Sequence, residues 1–336
     1  MKKEIPDISI IVPVYNVEAC IERCAKSLFE QTLDNLEYIF VNDCTPDKSL
    51  EILYQMLALY PNRVSQLKIV NHETNRGIAA VRNTGLQHAT GKYIGWVDSD
   101  DWVETAMFKQ LYSVAEESHS DIVWCDFYYI CTDYKARLSQ YCKENRIDFI
   151  KSLLTGTIHG TLCCSIARKE LYVKNNIQFP EGQNVVEDKL IQIKLLYFAG
   201  KIKYVPEAYY YYVKDNSTSI TAKWGEYTSV QEAALANLYA IFEFLNNTDL
   251  KFELQKFMQY AKLAFKKDLL NTLEIKSFKK WRELFSETGK YVLSCPNMTL
   301  RQKVLGWSID HEWWIVVKSW IFVKKRMRGC FKSQKT

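Results

Sequence analysis

Several features that would place a chain in a class at sight are missing from this one. None of its 10 cysteines forms a CxxC pair, so the thiolate spacing of a zinc cage is absent. Cys20, Cys24, Cys163 and Cys164 read as small buried hydrophobes. No stretch reaches the ~18 uninterrupted apolar residues of a transmembrane helix. The longest, Trp313 to Val323, is about eleven residues long with Lys318 inside it. The opening MKKEIPD has no apolar run of a secretory signal, which leads to the expectation of a cytoplasmic chain with reduced thiols. No GxGxxG follows the first apolar run, against a nicotinamide or flavin Rossmann enzyme. GLQHATGK (Gly85 to Lys92) misses the phosphate-loop pattern. It has five residues between its glycines instead of four, and Tyr93 stands where a Ser or Thr should coordinate magnesium.

What remains is globular: 336 residues, 48% hydrophobic, 14% aromatic and 25% charged, without repeats or low-complexity segments. The net charge of +5 is lopsided, because the stretch from Thr299 to Thr336 carries nine basic and two acidic residues and everything before it sums to −2. A nucleic-acid reader carries basic charge on its folded body. Here it sits on a tail, so no nucleic-acid partner is expected.

The first hundred residues alternate strand and helix patterns. ISIIVPV (8–14) is a β-branched run of the kind buried on both faces of a parallel sheet. A helix is expected over Asn16 to Gln31, a strand over Leu36 to Val41, a helix over Leu50 to Tyr60 and a strand over Leu67 to Asn71. A helix over Ile78 to His88 and a strand over Tyr93 to Val97 complete the series. Such alternation implies βαβ units in a doubly wound, mostly parallel sheet flanked by helices. Beyond Asp101 the pattern loosens: strands are expected at Ile122 to Ile130 and Lys203 to Val213, helices at Phe149 to Leu154 and Arg168 to Asn175, and mostly helix from Thr228 to Tyr291. A soft boundary falls at Asp215 to Lys223, dividing residues 1–220 from a helical region, 221–300, and a basic amphipathic tail, 301–336.

Ligands of such sheets bind beyond the carboxyl ends of the strands, and four polar clusters stand at such places. Pro13, Tyr15, Asn16 and Glu18 close the first strand, and Asp43 closes the second. A planar heterocycle could stack on Tyr15 while Asp43 accepts an imide N–H. Helix capping by Asn16 and a turn at Asp43 to Asp47 are the alternative. Next come Asn75, Gly77, Arg82 and Asn83, with Gly77 permitting close backbone approach and Arg82 offering a fork to a pyrophosphate. Otherwise Arg82 is a solvated helix arginine. Asp98-Ser99-Asp100-Asp101 follows YIGWV, and carboxylates so close need a cation or donors to offset their repulsion. Hard oxygen ligands suit Mg²⁺ or Mn²⁺, and an acidic helix start is the alternative. Glu187-Asp188 offers a general base or a helix-start carboxylate.

Taken in order, IIVPVYNVE, VND, NRGIAAVRNTG, WVDSDDW and the downstream ED resemble a family 2 (GT-A fold) glycosyltransferase over about residues 7–130, and more weakly to about 225. The resemblance implies a GT-A-type Rossmann-like sheet and a UDP-sugar donor. By position, Asp43 would bind uracil beside Tyr15 and Pro13, Asp98 would meet the ribose or sugar, and Arg82 the phosphates. Asn16, Glu18, Gly77 and Ser99 complete the donor-binding set. Asp100 would hold Mn²⁺ or Mg²⁺, and Asp188 would be the base of an inverting transfer to a saccharide or lipid-linked saccharide. The chain departs from the family's usual DDGS, having Asn42-Asp43-Cys44-Thr45.

In the tail, Trp313, Val316, Val317, Trp320, Met327 and Phe331 fall near one helical face, with Lys318, Lys325, Arg328 and Lys332 on another. Tryptophan beside Lys and Arg suits an interfacial helix on anionic lipid, at the inner face of the cell membrane. A core-packing helix with a basic end is the alternative. Two rival functions are a sugar-phosphate nucleotidyltransferase and a noncatalytic, membrane-associated nucleotide-sugar-binding subunit. The first wants a Gly-rich, lysine-bearing loop after strand one, where this chain has VPVYNVE. The second would tolerate loss of carboxylates that are present here.

Overall fold

The computed structural model describes residues 4–214, 229–271 and 274–332. The expected boundary at Asp215 to Lys223 lies outside them. Two compact units are present, Met1–Ile150 with Ile158–Phe244, and Lys151–Thr157 with Leu245–Thr336.

The first unit begins β1 (Ile8–Val14), α1 (Ile21–Phe29), β2 (Leu36–Asn42), α2 (Ser49–Ala58), β3 (Leu67–Asn71), α3 (Ile78–His88) and β4 (Tyr93–Trp96). Its continuous apolar run puts β1 between β2 and β4, parallel to both and buried along its whole length. The register pairs Val14 with Asn42, Asn42 with Asn71 and Ile11 with Trp96. Tyr15, Asp43, His72 and Asp98 therefore leave their strands along one edge. Helix α3 lies close on this sheet because Gly85 has no side chain. A Cβ there would come 2.3 Å from the Ile11 side chain.

Helix α1 starts later than the sequence pattern suggests. Asn16 takes a left-handed φ of 54°, and the N–H groups of Asn16, Val17 and Glu18 donate to the side chains of Thr45, Ser49 and Asp47 at 2.8, 3.1 and 2.8 Å. Those bonds tie the segment to the loop after β2, so Asn16 is no helix cap. The cap position belongs to Cys20.

The rest of the unit comprises β5 (Trp102–Val103), α4 (Met107–Ser118), β6 (Ile122–Ile130), β7 (Lys135–Leu138), α5 (Arg146–Thr155), β8 (Ser165–Arg168), α6 (Lys169–Lys174), α7 (Glu187–Phe198), β9 (Ile202–Val213) and α8 (Ser229–Asn246). The nine-stranded sheet runs β3-β2-β1-β4-β8-β6-β9-β5, with β7 on β6. Beyond β4 it is mixed, since β8 is antiparallel to β4 and β6 whereas β6 and β9 are parallel. Arg168 ends β8 instead of opening a helix, and β5 occupies the place of an acidic helix start after Asp98. The β6–β9 pairing bulges at Asp126. This buried carboxylate accepts from Arg137 Nη2 at 2.8 Å, the Gln140 N–H at 2.6 Å and the Tyr204 hydroxyl at 2.5 Å, which satisfies it where the ladder breaks.

The second unit contains α9 (Lys251–Lys266), α10 (Ile275–Glu283), α11 (Leu300–Asp310) and α12 (Trp314–Lys332), with 3-10 turns at Lys267–Asn271 and Ser286–Tyr291. Its core gathers Leu263, Leu270, Phe278, Trp281, Val292, Leu305, Ile309 and Val317. Thr299 and Gln302 form a capping box that starts α11. The apolar face expected for the tail divides. Val317 is buried and Trp320 packs against the core, whereas Trp313 and Val316 are exposed, as are Ile315, Phe322 and Val323 outside that face. The side chains of Lys325, Met327, Arg328, Phe331 and Lys332 lie outside the described residues. Among the described residues no helix is long and apolar enough to cross a membrane.

Candidate active site

The strand-end edge divides into an end around Asp43 and Tyr15 and a carboxylate cluster around Arg82. At the first, Asp43 is almost wholly buried and accepts from the N–H groups of Arg76 and Gly77 at 2.9 and 2.8 Å. Gly77 holds a φ of 82°, a region that favours glycine. A Cβ there would also lie 2.4 Å from Asn184. Tyr15 is 47% exposed, its ring open to a stacking partner, while Pro13 is buried within β1. The Glu18 carboxylate accepts from the Lys48 N–H at 3.1 Å and so shapes the loop after Asp43. His72, which sequence reasoning missed, sits 2.7 Å from Asp43. The signal was available, since His72 follows β3 as Asp43 follows β2.

At the second, Arg82 projects from the second turn of α3 into the protein, its side chain 3% exposed. It is no solvated helix arginine. One terminal nitrogen donates to Glu187 at 2.7 Å and to Asp188, and the other to Asp98 at 3.1 Å. The rings of Trp96 and Phe179 stand 6.0 and 5.5 Å from the guanidinium. Glu187 and Asp188 occupy the first turn of α7. The loop before them is held by Asn237 of α8, which donates to the carbonyls of Gln183 and Val185 at 2.9 and 2.8 Å. Burial works against the charge of the guanidinium, but Asp188, Asp98 and Glu187 outweigh it and hold the group firmly protonated. Burial pushes Asp188 up to about 8 despite the pull of Arg82, and raises Glu187 as well. A carboxylate so raised is near neutral poise for taking up a proton.

The four residues Asp98 to Asp101, one residue beyond β4, are sorted by burial. Asp101 is buried, accepting from the Tyr210 hydroxyl at 2.6 Å and the Val213 N–H at 2.7 Å, and Ser99 is buried beside it. Asp98 is 29% exposed on its side chain, and Asp100 is half-buried, its main-chain carbonyl taking a bond from Arg23. Among the described residues no three His, Cys, Asp or Glu side chains are grouped to hold a metal ion. A donor set of one or two carboxylates fits a hard divalent cation that takes its other ligands from phosphate oxygens and water.

Comparison with known proteins follows the same path. The sequence model of Glycosyl transferase family 2 matches residues 9–174. EpsH of Bacillus subtilis is 30% identical over 251 residues, an alignment spanning 73% of this chain and 71% of EpsH. The chain belongs to glycosyltransferase family 2. EpsJ, an uncharacterized glycosyltransferase of the same bacterium, is 37% identical over 225 residues, covering 65% of this family 2 chain and 63% of EpsJ, just under two thirds of that relative's length. The crystal structure of Staphylococcus aureus TarS 1-349 in complex with UDP-GlcNAc covers 96% of this chain and 92% of its own at a TM-score of 0.69 and 22% identity. That likeness establishes the GT-A fold. TarS is named a poly(ribitol-phosphate) beta-N-acetylglucosaminyltransferase.

Proposed function

We propose that this chain is an inverting glycosyltransferase that moves a sugar from a UDP-sugar to a hydroxyl of a saccharide or lipid-linked saccharide in cell-surface polysaccharide synthesis. The observation that carries the proposal is the convergence of Asp188, Glu187 and Asp98 on buried Arg82 at the same sheet edge as Tyr15 and Asp43. Asp43 accepts the uracil N–H and Tyr15 covers the base. Asp188, held in place by Arg82, takes the proton of the acceptor hydroxyl. The freed oxygen pair attacks the anomeric carbon from the face opposite the diphosphate, and the breaking C–O pair leaves on the β-phosphate. No covalent sugar–enzyme intermediate is needed. Asp100, with Asp98 beside it, would hold Mn²⁺ or Mg²⁺, which when bound supplies positive charge to the departing diphosphate.

The names of its relatives, which include a minor teichoic acid biosynthesis protein, support the cell-surface assignment. The exposed Ile315, Phe322 and Val323 beside Lys318 support a peripheral contact with anionic lipid at the cytoplasmic face. Glutamate at both Ile315 and Phe322 should then release the protein from anionic vesicles at low salt.

The deciding measurement for the donor is calorimetric titration with UDP, with and without Mn²⁺, on wild type and Asp100→Ala. The proposal expects binding that Mn²⁺ strengthens and that the substitution returns to the metal-free level. No UDP binding under either condition would overturn it.

A further inference from the structure

His72 is the first residue after β3, and its side chain is 5% exposed. Nδ1 lies 2.7 Å from Asp43 Oδ1, and Nε2 lies 2.9 Å from the Thr84 hydroxyl on α3. An ionised carboxylate can only accept, so Nδ1 carries a proton toward it. The Thr84 hydroxyl serves Nε2 in either charge state, donating to a neutral ring and accepting from a protonated one. The ring is thereby fixed at both ends.

Counting lone pairs shows what this does to Asp43. Oδ1 receives the His72 ring N–H and the Arg76 main-chain N–H, and Oδ2 receives the Gly77 N–H. A carboxylate offers about four acceptor sites, so these three bonds leave one position, on Oδ2. The two main-chain donors take one oxygen each, and the His72 N–H adds the third bond, which fills Oδ1 and leaves Oδ2 alone to face a ligand.

We infer that His72 is a positioning residue that sets the nucleobase selectivity of the donor site, by locking Asp43 as an acceptor toward a ring N–H. The inference rests on Asp43 reading the base, as proposed above. A pyrimidine with a ring N–H at that edge, uracil, meets the free acceptor of Oδ2. One with a bare ring nitrogen there, cytosine, sets lone pair against lone pair. Without His72 the carboxylate keeps only its two main-chain bonds, Oδ1 regains a lone pair, and the orientation that penalises the wrong base is held less firmly.

The test is calorimetric titration of the full chain with UDP and with CDP, both with Mn²⁺, on wild type, Asp43→Ala, His72→Leu, His72→Asn and Thr84→Val. His72→Leu should weaken UDP binding about tenfold or more, the loss of one hydrogen bond to a charged group, and should lower the UDP-to-CDP affinity ratio. His72→Asn carries an amide N–H on the same Cγ as the imidazole Nδ1 and should keep UDP affinity within about threefold. Thr84→Val should lower the ratio by less than His72→Leu. If Asp43→Ala weakens UDP while both His72 variants bind it like wild type, the inference falls and base reading by Asp43 stands. Equal weakening of UDP and CDP in His72→Leu would also overturn the inference, leaving His72 a structural support. If Asp43→Ala itself binds UDP like wild type, the base-reading proposal falls and takes the inference with it. Should His72→Leu fail to fold, an unchanged ratio in Thr84→Val overturns the inference and a lowered one supports it.

Discussion

Arg82 and Asp188 are 106 residues apart in sequence and form an ion pair in which the arginine side chain is 3% exposed and the aspartate 18%. The guanidinium joins the end of β4, through Asp98, to the start of α7, through Glu187 and Asp188. A single cation thus offsets three carboxylates. Removing it leaves them facing one another in a poorly hydrated cleft, and breaking a buried pair by deleting one partner costs about 3–5 kcal/mol.

Arg82→Met should therefore lower the urea midpoint by several tenths of a molar or more and abolish transfer. Arg82→Lys should recover only part of the stability, because a point charge cannot fork between Glu187 and Asp98. Equal urea midpoints for Arg82→Met and wild type would show that the ion pairs contribute nothing to the fold.

Asp188→Asn removes the proposed base without changing its shape. Turnover should fall by about 10²–10⁴ while UDP affinity stays at the wild-type level, since Asp43 and Tyr15 are untouched. Because burial raises Asp188 to about 8 and the base works deprotonated, kcat/KM should rise with pH up to about 8 and then level. The linked stability has the opposite sign. The folded state keeps a proton that the unfolded carboxylate has lost, so Asp188's contribution to stability declines as pH rises from about 4 to 8. A rate that is flat from pH 6 to 9, with chemistry limiting, would remove Asp188 from the base role.

The half of the sheet around β1 was legible in the sequence because its strands alternate with helix patterns and β1 is a continuous buried run. Ile8–Val14, Leu67–Asn71 and Ile78–His88 form as the patterns indicate. β5, β7 and β8 were not, since two to four residues outside that alternation carry no signal of their own. The site carried a similar division. Asp43, Asp98 and Asp188 announce themselves as acids at strand and helix ends, but nothing local to Arg82 reveals that two of its three partners, Glu187 and Asp188, lie about a hundred residues later. His72 was overlooked for another reason: its place just after β3 was readable, but a lone histidine has no pattern that marks it out, and the register of β2 with β3 sets it against Asp43. The late start of α1 came from side chains after β2 capturing main-chain N–H groups, which no helical periodicity reports.

Asp101 serves the fold rather than the proposed cation site. Burial raises it well above the usual carboxylate range, with Asp100 and Asp98 adding to the effect, so an amide of the same shape is a close substitute. Asp101→Asn should cost about 1 kcal/mol or less and keep Mn²⁺-dependent UDP binding. Asp101→Ala strands the Tyr210 hydroxyl and the Val213 N–H, at about 1–3 kcal/mol. Thermal melts and the UDP titration check both. Loss of metal-dependent binding in Asp101→Asn with an unchanged melt would move this residue into the metal site.

In the helical unit, Lys266 is 1% exposed and its ammonium donates to the carbonyls of Trp281, Leu284 and Phe285 at 3.0, 2.8 and 3.3 Å. These carbonyls lie at and just beyond the end of α10, where the helix has orphan acceptors. Burial pulls the lysine down to about 8, against Asp310 and Glu287. The unfolded chain keeps its proton to about 10.4, so between about pH 8 and 10 the unfolded state binds more protons and the contribution of Lys266 to stability rises with pH. Lys266→Met lacks both the donor and the titration. Its deficit against wild type, read as urea midpoints at pH 7.5 and 9.5, should be larger at the higher pH. A deficit equal at both would show that the buried amine does not titrate in this window.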